Sequence, residues 1–116
     1  MTEVFPMSVH QELAAALREL EATMRATGQW RMEPPEPAAF ASIEPFCADT
    51  MSLSQWLRFV FIVRLEALVE ARAPMPAKCE VAPAVEAWLA ESGARASERQ
   101  MIAEAVARID RLVTEG

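Results

Sequence analysis

The residues able to act as metal ligands, nucleophiles or proton carriers near neutral pH are few and widely spaced. The chain has one histidine, His10, and two cysteines, Cys47 and Cys79. The cysteines form no Cys-x-x-Cys pair and lie far from His10, so their spacing predicts neither a metal site nor a thiol–imidazole pair. With three glycines in all, the chain has no glycine-rich phosphate-binding loop. We therefore expect no catalytic residue, no metal and no cofactor, and predict that the protein is not an enzyme.

Asp49, Trp56 and Arg64 form the one group whose residue types would suit the recognition of a ligand. Counting about 100° per residue from Leu53 places Arg64 in the apolar stripe of a helix predicted for residues 53–72. A buried guanidinium must find a carboxylate or extend to solvent. Three interpretations follow: a structural ion pair that holds the preceding loop, a ligand-binding arginine, or a side chain that reaches solvent. The carboxylates considered as partners are Asp49, Glu44 and Asp110.

Two large hydrophobic residues, Phe59 and Ile62, fall on the other side of the same predicted helix, among charged residues such as Glu66. Apolar side chains in that position need cover. The cover would come either from the 31–50 loop or from another molecule. Together these patterns give five candidate binding residues, which are Asp49, Trp56, Arg64, Phe59 and Ile62.

The elements that would carry these residues are four helices, predicted at about 9–27, 53–72, 83–92 and 98–113. Three Ser-x-x-Gln sequences, which begin at Ser8, Ser52 and Ser97, match the capping box that starts helices. Apolar residues recur at helical spacing after each of these starts. The predicted fold is therefore an all-α, single-domain bundle of four main helices.

Residues 29–51 form the longest predicted connection. Three prolines between residues 34 and 37 exclude a regular helix through its first half. Phe40, Ile43 and Phe46 recur every third residue, so we expect a short helical turn that lies on the core. A connection of this length in a small domain is either a packed structural lid or a binding site, and both interpretations stay open.

Overall composition and charge narrow the classes of partner. Hydrophobic residues make up 53% of the 116 residues, enough for one core. The formal net charge is −6, from 17 acidic and 11 basic side chains without a basic stripe, so we expect no direct contact with nucleic acid. The most apolar run, 53–69, is interrupted by charges and is too short to span a membrane. With no secretory signal visible and two free thiols, we expect a cytoplasmic protein.

Several short motifs together resemble the bacterial YqcC-like family over residues 8–113. The motifs are Gln29-Trp30-Arg31, Glu33-Pro34, Pro45-Phe46, Asp49-Thr50-Met51, Gln55-Trp56-Leu57, Arg64, Pro76 and Val81-Ala82-Pro83. The sequence departs from the family pattern at Val63, where a proline is expected before the arginine, so a straighter helix is predicted here. The resemblance implies a small all-α bundle, with residues 1–116 as one YqcC-like domain.

The resemblance implies no established activity, because the function of YqcC-like proteins is not established. Members are encoded near, and labelled after, a tRNA pseudouridine synthase. We predict a non-catalytic protein-interaction module whose partner is an unidentified protein or, in a homodimer, a second copy of the chain. The alternative, which the resemblance alone implies, is an accessory factor to tRNA modification that associates with a tRNA pseudouridine synthase.

Overall fold

The computed structural model describes residues 8–76, 79–92 and 95–115, and no β-strand occurs within these ranges. Four helices follow one another along the chain: α1 (Val9–Ala26), α2 (residues 53–71), α3 (Ala82–Ser92) and α4 (Ala96–Glu115). Two short 3-10 turns, Pro37–Ala41 and Pro45–Cys47, lie in the connection before α2. The predicted all-α architecture is confirmed, and the helix ends agree with the expected ones to within two residues.

The capping boxes predicted at the starts of α1 and α2 are confirmed. The Gln11 N–H donates to Ser8 Oγ at 3.2 Å, and the Ser8 N–H donates to Gln11 Oε1 at 2.9 Å. The same reciprocal pair of hydrogen bonds joins Ser52 and Gln55. Two backbone N–H groups at each helix start therefore find partners that the helix itself does not provide.

The third predicted capping box, at Ser97, does not start a helix. The Arg99 N–H donates to the Arg95 carbonyl at 2.9 Å, so the first turn of α4 is formed before the Ser97 side chain could cap it. Ser97 lies inside the helix, whose first residue is Ala96. The prediction of a capping box at this position is wrong.

Packing between the helices builds the core. α4 packs against both α1 and α3, and α1 also contacts the C-terminal part of α2. The most deeply buried side chains come from all four helices and are Leu13, Leu20, Met24, Leu57, Ile62, Val85, Leu89, Ile102, Val106, Ile109 and Val113. Burying one such side chain contributes about 1.5–3 kcal/mol, more than helix propensity supplies per residue.

No helix within the described ranges is long and apolar enough to cross a membrane.

A π-helical turn, Leu57–Phe61, separates the two α-helical parts of α2, Leu53–Trp56 and Ile62–Ala71. The Ile62 N–H donates to the Leu57 carbonyl, five residues back instead of the usual four. The wider turn accommodates one extra residue. It therefore rotates the rest of α2 by about 100° relative to an uninterrupted α-helix.

This rotation corrects the predicted position of Arg64. Leu65 takes the core-facing position and is only 6% exposed, whereas Arg64 is exposed to solvent. Arg64 forms no hydrogen bond or ion pair with any residue of the described ranges. The interpretation of Arg64 as a buried structural ion pair with Asp49, Glu44 or Asp110 is therefore wrong.

Asp110 instead caps the start of α3 from the neighbouring helix. Its Oδ2 atom accepts the N–H groups of Val81 and Ala82 at 2.9 and 2.8 Å. Its Oδ1 atom accepts the Cys79 thiol at 3.1 Å. Thr114, one turn further along α4, accepts the Cys79 N–H at 3.0 Å and donates to the Cys79 carbonyl at 3.2 Å. The segment that leads into α3 is thereby fixed to α4.

Candidate protein-binding groove

The second 3-10 turn carries two adjacent residues in a strained backbone conformation. Phe46 and Cys47 have φ values of 58° and 49°, a left-handed region that non-glycine residues enter at a cost on the order of 1–2 kcal/mol. The Cys47 N–H donates to the Glu44 carbonyl at 3.1 Å, and the Cys47 carbonyl accepts the Met51 N–H at 3.0 Å. Cys47 itself is buried. Burial and hydrogen bonding together hold the turn in this conformation.

Aromatic contacts attach this turn to α2. The Phe46 ring meets the Trp56 ring edge-on, with 5.0 Å between centroids and an interplanar angle of 90°. Trp56 is also stacked on Phe61, at 5.3 Å. Both geometries are favourable for aromatic rings. Phe46 is consequently held above the start of α2, with part of its surface open to solvent.

An apolar groove lies between this turn and α3 and has a volume of about 320 Å³. Its lining consists almost entirely of hydrophobic side chains, which are Phe46, Ala48, Met51, Leu53, Ala84 and Trp88, together with Ser52. Trp88 is half-buried, so its ring contributes both to the core and to the groove surface. The groove contains no titratable side chain, and it is therefore suited to apolar contacts and not to acid–base chemistry.

The connection that forms one wall of the groove also exposes large hydrophobic side chains. Ile43 is 97% exposed and Phe40 is 43% exposed. The prediction that both residues lie on the core is wrong: the turn Pro37–Ala41 contains no buried residue. Only Phe46 of the three regularly spaced residues packs against the core. Exposed apolar residues in the segment that also lines an apolar groove are typical of an interaction site.

The five residues predicted as binding candidates do not come together as one site. Asp49 is exposed and accepts a hydrogen bond from the Ser42 hydroxyl. Trp56 is buried under Phe46, so a ligand cannot reach its ring faces. Asp49 and Trp56 thus belong to the connection and to its anchor on α2, whereas Arg64 is bonded to neither.

Phe59 and Ile62 differ in their surroundings. Ile62 is buried, because the π turn rotates it into the core, so its predicted place among charged residues is wrong. Phe59 is half-buried, and the Arg58 guanidinium lies 4.9 Å from its ring centroid. The same guanidinium lies 4.4 Å from the Trp30 ring and donates to the Trp30 carbonyl. Cover for this face therefore comes from within the chain.

The first part of the 29–51 connection is fastened to α2. Ser54 donates to Gln29 Oε1 at 2.7 Å, and Gln55 Nε2 donates to the Glu33 carbonyl at 3.2 Å. Together with the Trp30 and Arg58 contacts, these bonds make residues 29–33 a packed structural segment. The exposed hydrophobic residues begin only after it.

Asp110 and His10 have structural roles that sequence reasoning missed. His10 Nε2 donates to the Ala73 carbonyl at 2.7 Å and so joins the start of α1 to the end of α2. A signal for Asp110 was present in the sequence: Val81, which precedes α3, carries no side-chain oxygen able to cap the helix. An α3 cap therefore had to come from elsewhere in the fold.

No group of three His, Cys, Asp or Glu side chains in the described part of the chain is arranged to hold a metal ion.

Comparison with known proteins identifies the family. The family model DUF446, described as tRNA pseudouridine synthase C, matches residues 12–112. The uncharacterized protein YqcC of Escherichia coli (strain K12) is 33% identical over 109 residues, which cover 94% of this chain and 97% of that protein. The chain belongs to the YqcC-like family. The solution NMR structure of YqcC from E. coli superposes with a TM-score of 0.80 and covers 94% of this chain and 91% of that one.

Two further relatives widen this comparison. An uncharacterized protein of Haemophilus influenzae is 41% identical over 75 residues, or 65% of this YqcC-like chain and 71% of that protein. A protein of Pectobacterium carotovorum named tRNA pseudouridine synthase C is 37% identical over 70 residues. Those residues are 60% of this chain but only 19% of that protein, so the similarity extends over a small part of a longer polypeptide.

Proposed function

We propose that this YqcC-like chain is a single cytoplasmic domain that acts as a non-catalytic protein-interaction module, with the groove between residues 46–53 and α3 as its docking surface. The observation that carries the proposal is Ile43, which is 97% exposed and lies three residues before the groove-lining Phe46. Solvent-exposed apolar area contributes about 25 cal/mol for each Å² that a partner buries. A partner that covers Ile43, Phe40 and the groove would gain that contribution, and nothing within the described ranges covers Ile43.

The character of the groove supports docking over catalysis. Trp88 and Phe46 present half-buried aromatic surface, the type of surface enriched at protein interfaces. The left-handed residues Phe46 and Cys47 are held in place before any partner arrives. A preorganised surface loses little conformational freedom on binding, which favours affinity.

A second candidate function is that of an accessory factor to tRNA modification, with a tRNA pseudouridine synthase as the partner. It is favoured by the P. carotovorum relative, in which a segment similar to this chain forms 19% of a polypeptide named tRNA pseudouridine synthase C. Two activities that share one polypeptide in one organism are candidates for association when they occur as separate chains. This candidate concerns the identity of the partner and uses the same groove.

The experiment that tests the docking function compares the wild-type chain with Ile43→Ser and with the control Val63→Ser. Val63 is a 54% exposed hydrophobic residue on α2, so each substitution replaces an exposed apolar side chain without disturbing the core. Each tagged chain is used to isolate partners from the native host. The protein identified with the wild type is then purified, and its dissociation constant is measured for all three chains.

We expect the wild-type chain and Val63→Ser to bind this partner with similar affinity, and Ile43→Ser to bind it at least tenfold more weakly. Equal binding by all three chains would contradict the proposed docking surface. The same measurement with the purified tRNA pseudouridine synthase tests the second candidate, which an absence of association at micromolar concentration would exclude. Sedimentation equilibrium that detects only monomers would exclude the homodimer.

A further inference from the structure

Both walls of the groove come from segments that contain carboxylates and no basic side chain. Between Arg31 and Arg58 the chain has no lysine or arginine. The carboxylates in this interval are Glu33, Glu36, Glu44 and Asp49, and all four residues are exposed. Glu44 and Asp49 lie within two residues of the groove-lining Phe46 and Ala48.

The opposite wall, formed by α3, also comes from a segment without basic side chains. Residues 79–92 include α3 and contain Glu80, Glu86 and Glu91, with no lysine or arginine. The nearest basic residues along the chain are Lys78, before this segment, and Arg95, after it. Glu86 lines a separate groove with Arg99 of α4, so the negative charge beside the apolar groove comes from residues 33–49, while the α3 wall adds no cation.

We propose that the groove accepts an amphipathic segment of a partner protein in which apolar side chains are flanked by lysine or arginine. This inference rests on the docking surface proposed above and adds the chemistry of its occupant. The apolar side chains of the segment lie between Phe46 and Trp88, and its cations lie near Glu44 and Asp49. Such complementary charge raises the association rate and selects among apolar partners.

The same charges disfavour the other classes of occupant. Phosphate groups of RNA or of anionic lipids would approach the exposed carboxylates of Glu44 and Asp49, which repel them, and would find no lysine or arginine on either wall. Two copies of the chain that joined groove to groove would also place carboxylates opposite carboxylates. If the partner belongs to the tRNA modification machinery, the groove therefore contacts its protein part and not the RNA.

The test uses two fluorescein-labelled synthetic peptides with the same leucine stripe at helical spacing, one with lysine and the other with glutamate at all remaining positions. Binding to the full chain is followed by fluorescence anisotropy, and the binding site is located by amide chemical shifts in NMR spectra. We expect the lysine peptide to shift the amides of Phe46, Met51, Leu53 and Trp88. We expect the glutamate peptide to bind at least tenfold more weakly.

The charge contribution is measured with the double substitution Glu44→Gln and Asp49→Asn. Asparagine at 49 can still accept the Ser42 hydroxyl, so the connection keeps its hydrogen bond. We expect the lysine peptide to bind this variant about threefold to tenfold more weakly, with a smaller dependence on salt. The matched control is Glu66→Gln with Glu70→Gln, which removes two exposed carboxylates from the groove between α1 and α2.

The outcomes separate this inference from the proposed function. Equal affinity of both peptides, with shifts at Phe46 and Trp88, would leave the docking surface in place and overturn the preference for cations. A loss of affinity in the Glu66 and Glu70 variant alone would place the peptide in the wrong groove and overturn the inference. Shifts from neither peptide in the groove would contradict both proposals.

Discussion

The Cys79 thiol donates a hydrogen bond to Asp110 at 3.1 Å, and the same carboxylate caps the start of α3. Burial raises the pKa of Cys79 from its ordinary value of 9.0 to about 12, assisted by the hydrogen bond to Asp110 and by the negative charge of that carboxylate. The folded state therefore keeps the thiol proton at a pH at which the unfolded chain has lost it.

This shift predicts a loss of stability at alkaline pH. The contribution of the protonated thiol is complete below pH 9.0 and is lost as the pH rises towards about 12. Because the chain has no tyrosine and a single lysine, Lys78, few other groups titrate in this range. Urea unfolding at a series of pH values should show a steeper decline for the wild type than for Cys79→Ala. Parallel declines for the two chains would contradict the prediction.

The substitution Asp110→Asn provides the control for the cause of the shift. It removes the negative charge but leaves a side chain that can still accept hydrogen bonds. We expect the alkaline decline to begin at the same pH in this variant but to be smaller and to end at lower pH, because removing the carboxylate charge lowers the pKa of Cys79 in the folded state and leaves that of the unfolded chain unchanged. Asp49→Asn, at an exposed position remote in sequence from Cys79, should leave the decline unchanged.

The π turn in α2 predicts opposite consequences for two adjacent residues. Leu65→Ala should lower the free energy of unfolding by about 2–4 kcal/mol, because it removes a buried side chain and leaves a cavity. Arg64→Ala should change it by less than about 0.5 kcal/mol, because Arg64 is exposed. Urea denaturation monitored by circular dichroism measures both values. A large effect at Arg64 with a small one at Leu65 would indicate an uninterrupted α-helix.

This pair of residues also explains which parts of the structure could be predicted from the sequence. The helices could be predicted because capping boxes, proline positions and apolar spacing are local signals. The register of α2 could not, since one extra residue in a turn leaves the apolar pattern on either side unchanged and only tertiary packing selects it. The exposure of Ile43 could not be predicted either. Spacing by three residues indicates a helical turn but does not show which side of the turn packs on the core.

Arg58 joins α2 to the start of the 29–51 connection. Two substitutions at this position distinguish the contribution of its positive charge to stability from that of its planar guanidinium. Arg58→Ala should lower the free energy of unfolding by about 1–2 kcal/mol, because contacts with Trp30 and Phe59 are lost together. Arg58→Lys should restore less than half of the loss, because an ammonium group lacks the planar surface that stacks on rings. Urea denaturation followed by tryptophan fluorescence checks both values.

The neighbouring Arg31 supplies the matched control for Arg58. It is exposed and forms no hydrogen bond or ion pair within the described ranges, so Arg31→Ala should change stability by less than about 0.5 kcal/mol. Full restoration by Arg58→Lys would mean that charge alone matters at this position.

Two helix ends with the same hydrogen-bond pattern predict changes of opposite sign. Gly28 ends α1 with φ 75°, and Arg72 ends α2 with φ 50°; after each residue, the next N–H returns to a carbonyl five residues back. An added Cβ on Gly28 meets no atom within 4 Å, so Gly28→Ala should cost about 1 kcal/mol through backbone strain alone. Arg72→Gly should raise stability by up to about 1 kcal/mol.

Thermal and urea unfolding of both variants check this pair. Asparagine tolerates the left-handed region, so Gly28→Asn should be less destabilising than Gly28→Ala and serves as the control. A loss of stability in Arg72→Gly, of the size expected for a glycine inside a helix, would show that residue 72 does not adopt the left-handed conformation in solution.

The packing of α1 against α4 has a consequence for how the chain folds during synthesis. The apolar face of α1, which is synthesised before the other described helices, is covered only in part, by α2, until Ala96–Glu115 has also emerged. α3 likewise lacks its cap until Asp110 is available. The core therefore cannot form stepwise as the chain emerges. Nascent chains paused before α4 should present uncovered hydrophobic surface to chaperones.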